Sequence, residues 1–201
     1  MNLLVVESSF RQQGSLSRLL TGEFLQNWRA KFGSDNIEID DLRLNPPPHL
    51  NEDLFGSWLL DPAKLTFRQQ IELKRANEII ASVKKADVLV FGAPLYNFNI
   101  SSTLKAWIDH FMRVGETFVY TKDGGTGYLK NKKALVLSAV GGIYEGDEGD
   151  FQVTHLRYVL AFNGITDTTC IKAQGLDLGE DIREQALNKA YKEIKQFVDS
   201  L

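Results

Sequence analysis

Ser8, Ser9, Ser15 and Ser17 place four hydroxyls within ten residues, with Gly14 among them, where the apolar run Leu3 to Val6 gives way to a helical pattern. Hydroxyls beside the free N–H groups of a helix start suit an anion, because both the donors and the helix dipole point at it. The same residues fit a plainer role in which Ser15 or Ser17 caps the helix. A second cluster runs from Gly92 to Ser101 and carries Tyr96, Asn97, Phe98 and Asn99. Aromatics and carboxamides together can flank a flat ring and hydrogen-bond its polar rim. They would also serve a turn packed by its own aromatics, with Ser101 or Ser102 capping the following helix. A third stretch, Ser138 to Tyr144, contains the pair Gly141-Gly142, which lets backbone N–H groups approach a ligand or simply makes a tight turn.

Absent motifs narrow the chemistry. No GxGxxG follows the first apolar run, and neither GxxxxGK[ST] nor GxSxG occurs anywhere, against dinucleotide binding in the Rossmann manner, P-loop nucleotide hydrolysis and the nucleophile elbow. A serine-rich cradle suits a single phosphate monoester such as that of flavin mononucleotide, FMN. Cys170 is the one cysteine, so no intrachain disulfide forms, and His49, His110 and His155 are scattered without zinc-ligand spacing. No metal is expected, and each histidine reads as a surface or helix residue. With 23 Lys+Arg against 26 Asp+Glu, the net charge of -3 gives no basic footprint for nucleic acid. The first apolar run meets Glu7 too early for a leader or a membrane span, so the expected location is cytoplasmic and reducing, with no membrane partner.

The elements that must position these clusters follow from periodicity. Leu3 to Val6, Val88 to Phe91 and Ala134 to Leu137 are continuous apolar runs typical of strands buried on both faces. Asn36 to Leu42 alternates with acids like an edge strand, and Thr168 to Ile171 supplies a fifth. Helical spacing appears at Leu16, Leu19, Leu20, Phe24, Leu25 and Trp28, at Phe67 to Val83, at Leu104 to Phe111 and at Ile182 to Val198. Such alternation predicts an α/β fold, a doubly wound five-stranded parallel sheet in the order 2-1-3-4-5 with helices on both faces. Ligands of such sheets sit beyond the carboxyl ends of the strands, where the three clusters fall. The whole chain, 1–201, reads as a single domain. It carries a Pro-rich crossover or lid at 45–65, whose prolines break any helix, and a hairpin insertion at 117–128 around Gly124-Gly125-Thr126-Gly127.

Taken together, Ser9 with Ser15-Leu16-Ser17, the block Pro94-Leu95-Tyr96-Asn97-Phe98-Asn99-Ile100-Ser101, Gly141-Gly142-Ile143, and Phe162-Asn163-Gly164-Ile165-Thr166-Asp167 resemble the FMN-dependent NADH:quinone oxidoreductase and azoreductase family. The likeness runs nearly end to end, and the block from Pro94 to Ser101 is its most discriminating part. It implies a flavodoxin-like homodimer with one FMN per subunit, reducing quinone or azo acceptors with NADH or NADPH in ping-pong fashion. The FMN-binding positions it implies are Ser9, Ser15, Leu16, Ser17, Leu95, Tyr96, Asn97, Phe98, Ala139, Val140, Gly141 and Gly142. Tyr120 and Phe162 resemble residues lining the substrate cavity, Phe162 across the dimer interface, and Tyr144 stands beside them. Where the family often has Ser-Arg before the glycine pair this chain has Ala139-Val140, and Tyr144 replaces a frequent histidine.

Flavin chemistry belongs to the cofactor, so no side chain is assigned a catalytic role. Core or interface packing is the alternative for Tyr120 and Phe162. Charged helix positions such as Lys74, Arg75, Lys84 and Lys85 read as solvated. The rival function is a flavodoxin-type electron carrier serving a protein partner, against which the modest charge and the insertions both count. A receiver-like signalling domain would need acids clustered beside Glu7 and a phosphorylatable acid where Ala93-Pro94 stand.

Overall fold

The computed structural model describes residues 1–144 and 149–201. Parallel strands β1 (Leu3–Glu7), β2 (Ile37–Asp41), β3 (Val88–Pro94), β6 (Lys133–Ala139) and β7 (Asp167–Ala173) form one sheet in the order β2-β1-β3-β6-β7. Numbered within the sheet alone, that is 2-1-3-4-5, the flavodoxin-like order. Strands β4 (Phe118–Thr121) and β5 (Gly124–Gly127) pair antiparallel as a separate two-stranded hairpin.

Alternation along the strands builds a core on each face of the sheet. Leu4 and Val6 face Ile79 and Val83 of α3 (Phe67–Lys85), Leu104 and Trp107 of α4 (Ser102–Phe111), and Leu156 and Leu160 of α5 (Phe151–Phe162). Leu3 and Val5 face Leu20, Phe24 and Trp28 of α1 (Leu16–Phe32) and Ile194 and Val198 of α6 (Glu180–Ser200). The central strands are buried on both sides, and β2 and β7 are the half-exposed edges.

Several expectations need correction. The prolines at 46–48 are free of helix, but the crossover beyond them is not: Asn51 caps α2 (Glu52–Ser57), and Asp61 starts a 3-10 turn at Pro62–Lys64. His110 is wholly buried and its Nε2 lies 2.7 Å from the Pro48 carbonyl, pinning the crossover to α4. Arg75 is an ion-pair residue, 2.7 Å from Asp40, which also accepts from the Trp107 indole at 3.0 Å. Helix α5 has no counterpart among the periodic segments read from the sequence, because its buried stripe of Gln152, Leu156, Val159 and Leu160 begins with a polar residue. Leu19, Phe67, Ile71 and Ile182, read as core-facing by their spacing, remain exposed.

No helix among the described residues is long and apolar enough to cross a membrane. No group of three or more His, Cys, Asp or Glu among them could hold a metal ion.

Candidate functional site

The first loop is tied down at both ends. Ser8 gives its N–H and its hydroxyl to the Gly92 carbonyl, at 3.1 and 2.7 Å, which locks the end of β1 to β3. Ser9 Oγ accepts from the Arg11 N–H at 3.2 Å and lies 3.2 Å from the Tyr96 hydroxyl. From α1 the Arg18 guanidinium donates to the carbonyls of Ser9 and Arg11, each at 2.9 Å, and to both Asp41 oxygens at 2.8 and 3.0 Å. Burial alone would raise the Asp41 carboxyl; hydrogen bonds from Arg18 and the Arg43 amide overcome that and bring it below its ordinary value.

Ser15 caps α1, accepting from Arg18 N at 3.4 Å, and its hydroxyl lies 3.2 Å from that of Ser17, both side chains buried. As the first residues of the helix, Leu16 and Ser17 have N–H groups with no intrahelical acceptor. The capping role and the anion cradle are thus compatible: one serine caps while the pair faces the same opening.

The second loop is a tight turn. Tyr96 and Asn99 exchange backbone hydrogen bonds at 2.9 and 3.0 Å, and the residues between them, Asn97 and Phe98, have φ of 48° and 68°. Such turns favour glycine at the second position, and a phenylalanine there is strained. Phe10 packs on Tyr96 with ring centroids 4.7 Å apart, and Tyr144 meets Phe98 edge-on at 6.1 Å. Leu95 N donates to the Ala139 carbonyl at 2.9 Å, joining this loop to the third.

In the third loop Val140 turns its side chain into the core and commits its N–H to Ala173 at 2.8 Å and its carbonyl to Leu176 at 3.1 Å. The Gly141 and Gly142 carbonyls accept from Asp177 N at 2.9 Å and Gly175 N at 2.6 Å. A Cβ at Gly141 would lie 2.3 Å from Asp177 Oδ2, so a larger residue there would have to displace that exposed carboxylate. The segment after β7 therefore backs the third loop.

These loops enclose a cleft of about 540 Å³. Among the sequence-predicted residues, Ser15, Leu16, Ser17, Leu95, Tyr96, Ala139 and Gly141 line it together. Ser9 borders it through Tyr96, whereas Asn97 opens onto an adjoining hollow of about 700 Å³ that also contains Phe10 and Thr103. Gly142 sits beside Tyr144, whose ring would be 3.5 Å from a Cβ added there. Tyr120 and Phe162 stand elsewhere in the subunit, packed with Phe118 against the hairpin, the two rings 6.4 Å apart. A Cβ at Gly125 would lie 2.6 Å from the Phe162 ring, so the glycine turn exists to admit that ring.

Sequence reasoning gave no role to Arg11, Asp177 or Arg183, all lining the cleft. Arg183 donates Nε–H to the Leu176 carbonyl at 2.7 Å and is 3.9 Å from Asp177. The general rule that every strand's carboxyl end faces the ligand edge, applied to β7 as well, would have found the last two.

A doubly wound parallel sheet with a serine-lined cleft beside its topological switch point defines a flavodoxin-like protein. The sequence pattern of the flavodoxin-like fold family matches residues 1–198. The chain is 47% identical over 194 residues to FMN-dependent NADH:quinone oxidoreductase 2 of Pseudomonas fluorescens strain Pf0-1, covering 96% of this chain and 98% of that protein. It is 45% identical over 194 residues to the Azotobacter vinelandii FMN-dependent NADH:quinone oxidoreductase, with the same coverage of each. Among solved structures, it superposes with TM-score 0.88 and 28% identity on an FMN-dependent NADH-azoreductase from Bacillus anthracis in complex with FMN, covering 100% and 99% of the two chains. The azoreductase AzrA gives TM-score 0.92 at 26% identity, with 100% of both chains covered. The chain belongs to the family of FMN-dependent NADH:quinone oxidoreductases.

Proposed function

We propose that this chain is an FMN-dependent oxidoreductase that passes two electrons from NADH, or NADPH, to quinones and azo compounds. The observation that carries the reading is the convergence of Ser15, Ser17, Tyr96, Ala139 and Gly141 on one cleft, from three loops far apart in the sequence. The residues fit the cofactor. Paired buried hydroxyls at a helix start suit a phosphate monoester, and Gly141 puts no side chain into the cleft it lines.

The chemistry FMN supplies when bound is two-electron transfer between donor and acceptor. The protein's part is placement. Ser9, Ser15, Leu16 and Ser17 hold the phosphate end, with Arg11 as a nearby cation. Leu95 to Phe98 and Ala139 to Gly142 frame the ring end, Val140 only from behind because its side chain lies in the core and its backbone groups are bonded elsewhere, with Asn97, Gly141 and Gly142 offering polar groups to the rim. No side chain among these ring positions is a carboxylate, amine, imidazole or thiol, and the Tyr96 phenol is engaged with Ser9. Protons therefore come from solvent.

The active form is a homodimer of single-domain, cytoplasmic subunits. Leu59 and Phe67 are 80% and 78% exposed, beside exposed Phe55 and Ile71, and apolar surface of this kind is normally covered by a partner. In the dimer, Phe162 of the partner subunit bounds the open face of the ring, and Tyr120, expected from the same subunit as the cleft, comes from the partner with it because the two rings pack together 6.4 Å apart. Donor and acceptor must then take turns on that face, which gives ping-pong kinetics.

Purified protein tests the reading directly. It should be yellow, bleach anaerobically on addition of NADH and recover colour with a quinone. Initial rates with both substrates varied should give parallel lines; a colourless protein that takes up no FMN overturns the assignment, and intersecting lines across several quinones overturn the shared face.

A further inference from the structure

Gln152, in the first turn of α5, is fully buried between the ends of two strands. Its Nε2 donates to the Pro94 carbonyl at 2.7 Å, and its Oε1 accepts from Ser138 Oγ at 2.6 Å. The orientation of the carboxamide follows from the partners. A carbonyl can only accept, so the amide nitrogen must face Pro94, which leaves the amide oxygen for the Ser138 hydroxyl.

Neighbouring groups extend the grip. Phe151 donates its N–H to the Phe98 carbonyl at 3.0 Å. Asp150 caps the helix through the Gln152 N–H at 3.1 Å and pairs with Lys172 of β7 at 2.5 Å. The start of α5 therefore holds the residue before, and the last residue of, the segment Leu95 to Phe98. The Tyr96–Asn99 backbone pair closes that turn from within, and the contacts from α5 add an external hold where Phe98 is strained in the left-handed region.

We propose that Gln152 is a positioning residue for the ring end of the flavin cleft: through Pro94 and Ser138 it sets Leu95–Phe98 against Ala139–Gly142 without touching the ligand. The inference rests on the FMN reading above. It separates the cleft into a phosphate end governed by α1 and a ring end governed by α5. Nothing in the ring end's own sequence discloses that dependence, because Gln152 lies 58 residues beyond Pro94.

The test uses the full chain, stripped of flavin and titrated separately with FMN and riboflavin, following flavin fluorescence and the visible band. Gln152→Met keeps the length of the side chain and removes both hydrogen bonds. Ser138→Ala removes only the donor that orients the amide. Gln152→Met should weaken both flavins by the same factor, about tenfold. At saturating flavin its visible band should move toward that of free flavin, and Ser138→Ala should show a smaller change in the same direction. Unchanged affinities and spectra in both variants would overturn the proposal, as would a loss confined to FMN. Should Gln152→Met fail to fold, Ser138→Ala decides alone. Wild-type protein that binds neither flavin overturns the functional reading and this proposal with it, whereas wild-type binding with unaltered variants overturns the proposal alone.

Discussion

The hydroxyls of Ser9 and Tyr96 lie 3.2 Å apart and join the loop after β1 to the loop after β3 across the cleft. Each residue was read separately as a ligand contact, Ser9 for phosphate and Tyr96 for the ring. Their pairing means the two ends of the site are coupled through a single hydrogen bond. Tyr96→Phe should therefore weaken FMN binding through Ser9 as well as through the ring, and the effects of Tyr96→Phe and Ser9→Ala should be less than additive. A double-mutant cycle on FMN affinity is expected to give a coupling of about 0.5 to 1.5 kcal/mol. Strict additivity would show that the bond is the same in the free and the FMN-bound protein and so does not couple the two ends of the site through binding.

Ser17 is buried beside Ser15 at the start of α1, where a phosphate would sit. Ser17→Ala should cost roughly 1 to 3 kcal/mol of FMN affinity, the range for hydrogen bonds to a charged group. Riboflavin, which lacks the phosphate, should bind the variant and the wild type equally. The comparison needs only fluorescence titrations, and equal losses for both flavins would move the phosphate to another part of the cleft.

The hairpin and Phe162 bear on the acceptor. Phe162 packs on Phe118 at 4.9 Å and on Tyr120 at 6.4 Å, away from the cleft of its own subunit. Phe162→Ala should raise the KM for quinones and change the order of preference among them, with FMN content unchanged, because stacking contributes about 0.5 to 1.5 kcal/mol beyond burial. Sedimentation should show a dimer throughout. A monomeric wild type with full turnover would exclude any role for Phe162 across an interface.

The residues show which parts of this architecture could be read in advance. Strands β1, β3 and β6 are unbroken apolar runs, and the order 2-1-3-4-5 follows once the edge strands are recognised by their polar positions. The three cleft loops were found because the rule for parallel sheets directs attention to the strand ends. Helix α5 was not, since Gln152 occupies the first buried position of its stripe and is held there by hydrogen bonds instead of apolar packing. Asp177 and Arg183 follow β7, an edge strand whose carboxyl end the same rule also covers, and the backbone pairing of Gly141 with Asp177 brings them to the cleft. Arg75 looked like one more exposed helix charge, and only the packing of α3 on the sheet brings it to Asp40.

The last prediction concerns Glu7, whose carboxylate stands at the end of β1 under the first loop. It is 6% exposed, hydrogen-bonded by the Thr21 hydroxyl, and its Oε2 has no hydrogen-bond partner although Arg18 lies 4.0 Å away. Burial raises its pKa above the ordinary 4.5, the Thr21 bond and the Arg18 charge opposing and Asp41 adding to the rise. The folded state therefore binds this proton more tightly than the unfolded chain. Below the unfolded pKa both states are protonated and Glu7 adds nothing; as pH rises through the window between the unfolded and folded values, stability falls, and above it the penalty is complete. Glu7→Gln keeps the shape and removes the charge, so it should melt higher than wild type at neutral and alkaline pH, with the difference shrinking toward zero as pH falls to the ordinary carboxylate range. Asp41 moves oppositely: its lowered pKa contributes stability above the unfolded value that is lost as pH falls through the folded one. The difference between wild type and Glu7→Gln reports the Glu7 charge together with its coupling to Asp41, which faces the same Arg18. Thermal melts of the two proteins across pH provide the measurement, and a variant less stable than wild type at alkaline pH would show that the Glu7 charge is instead held favourably by Arg18.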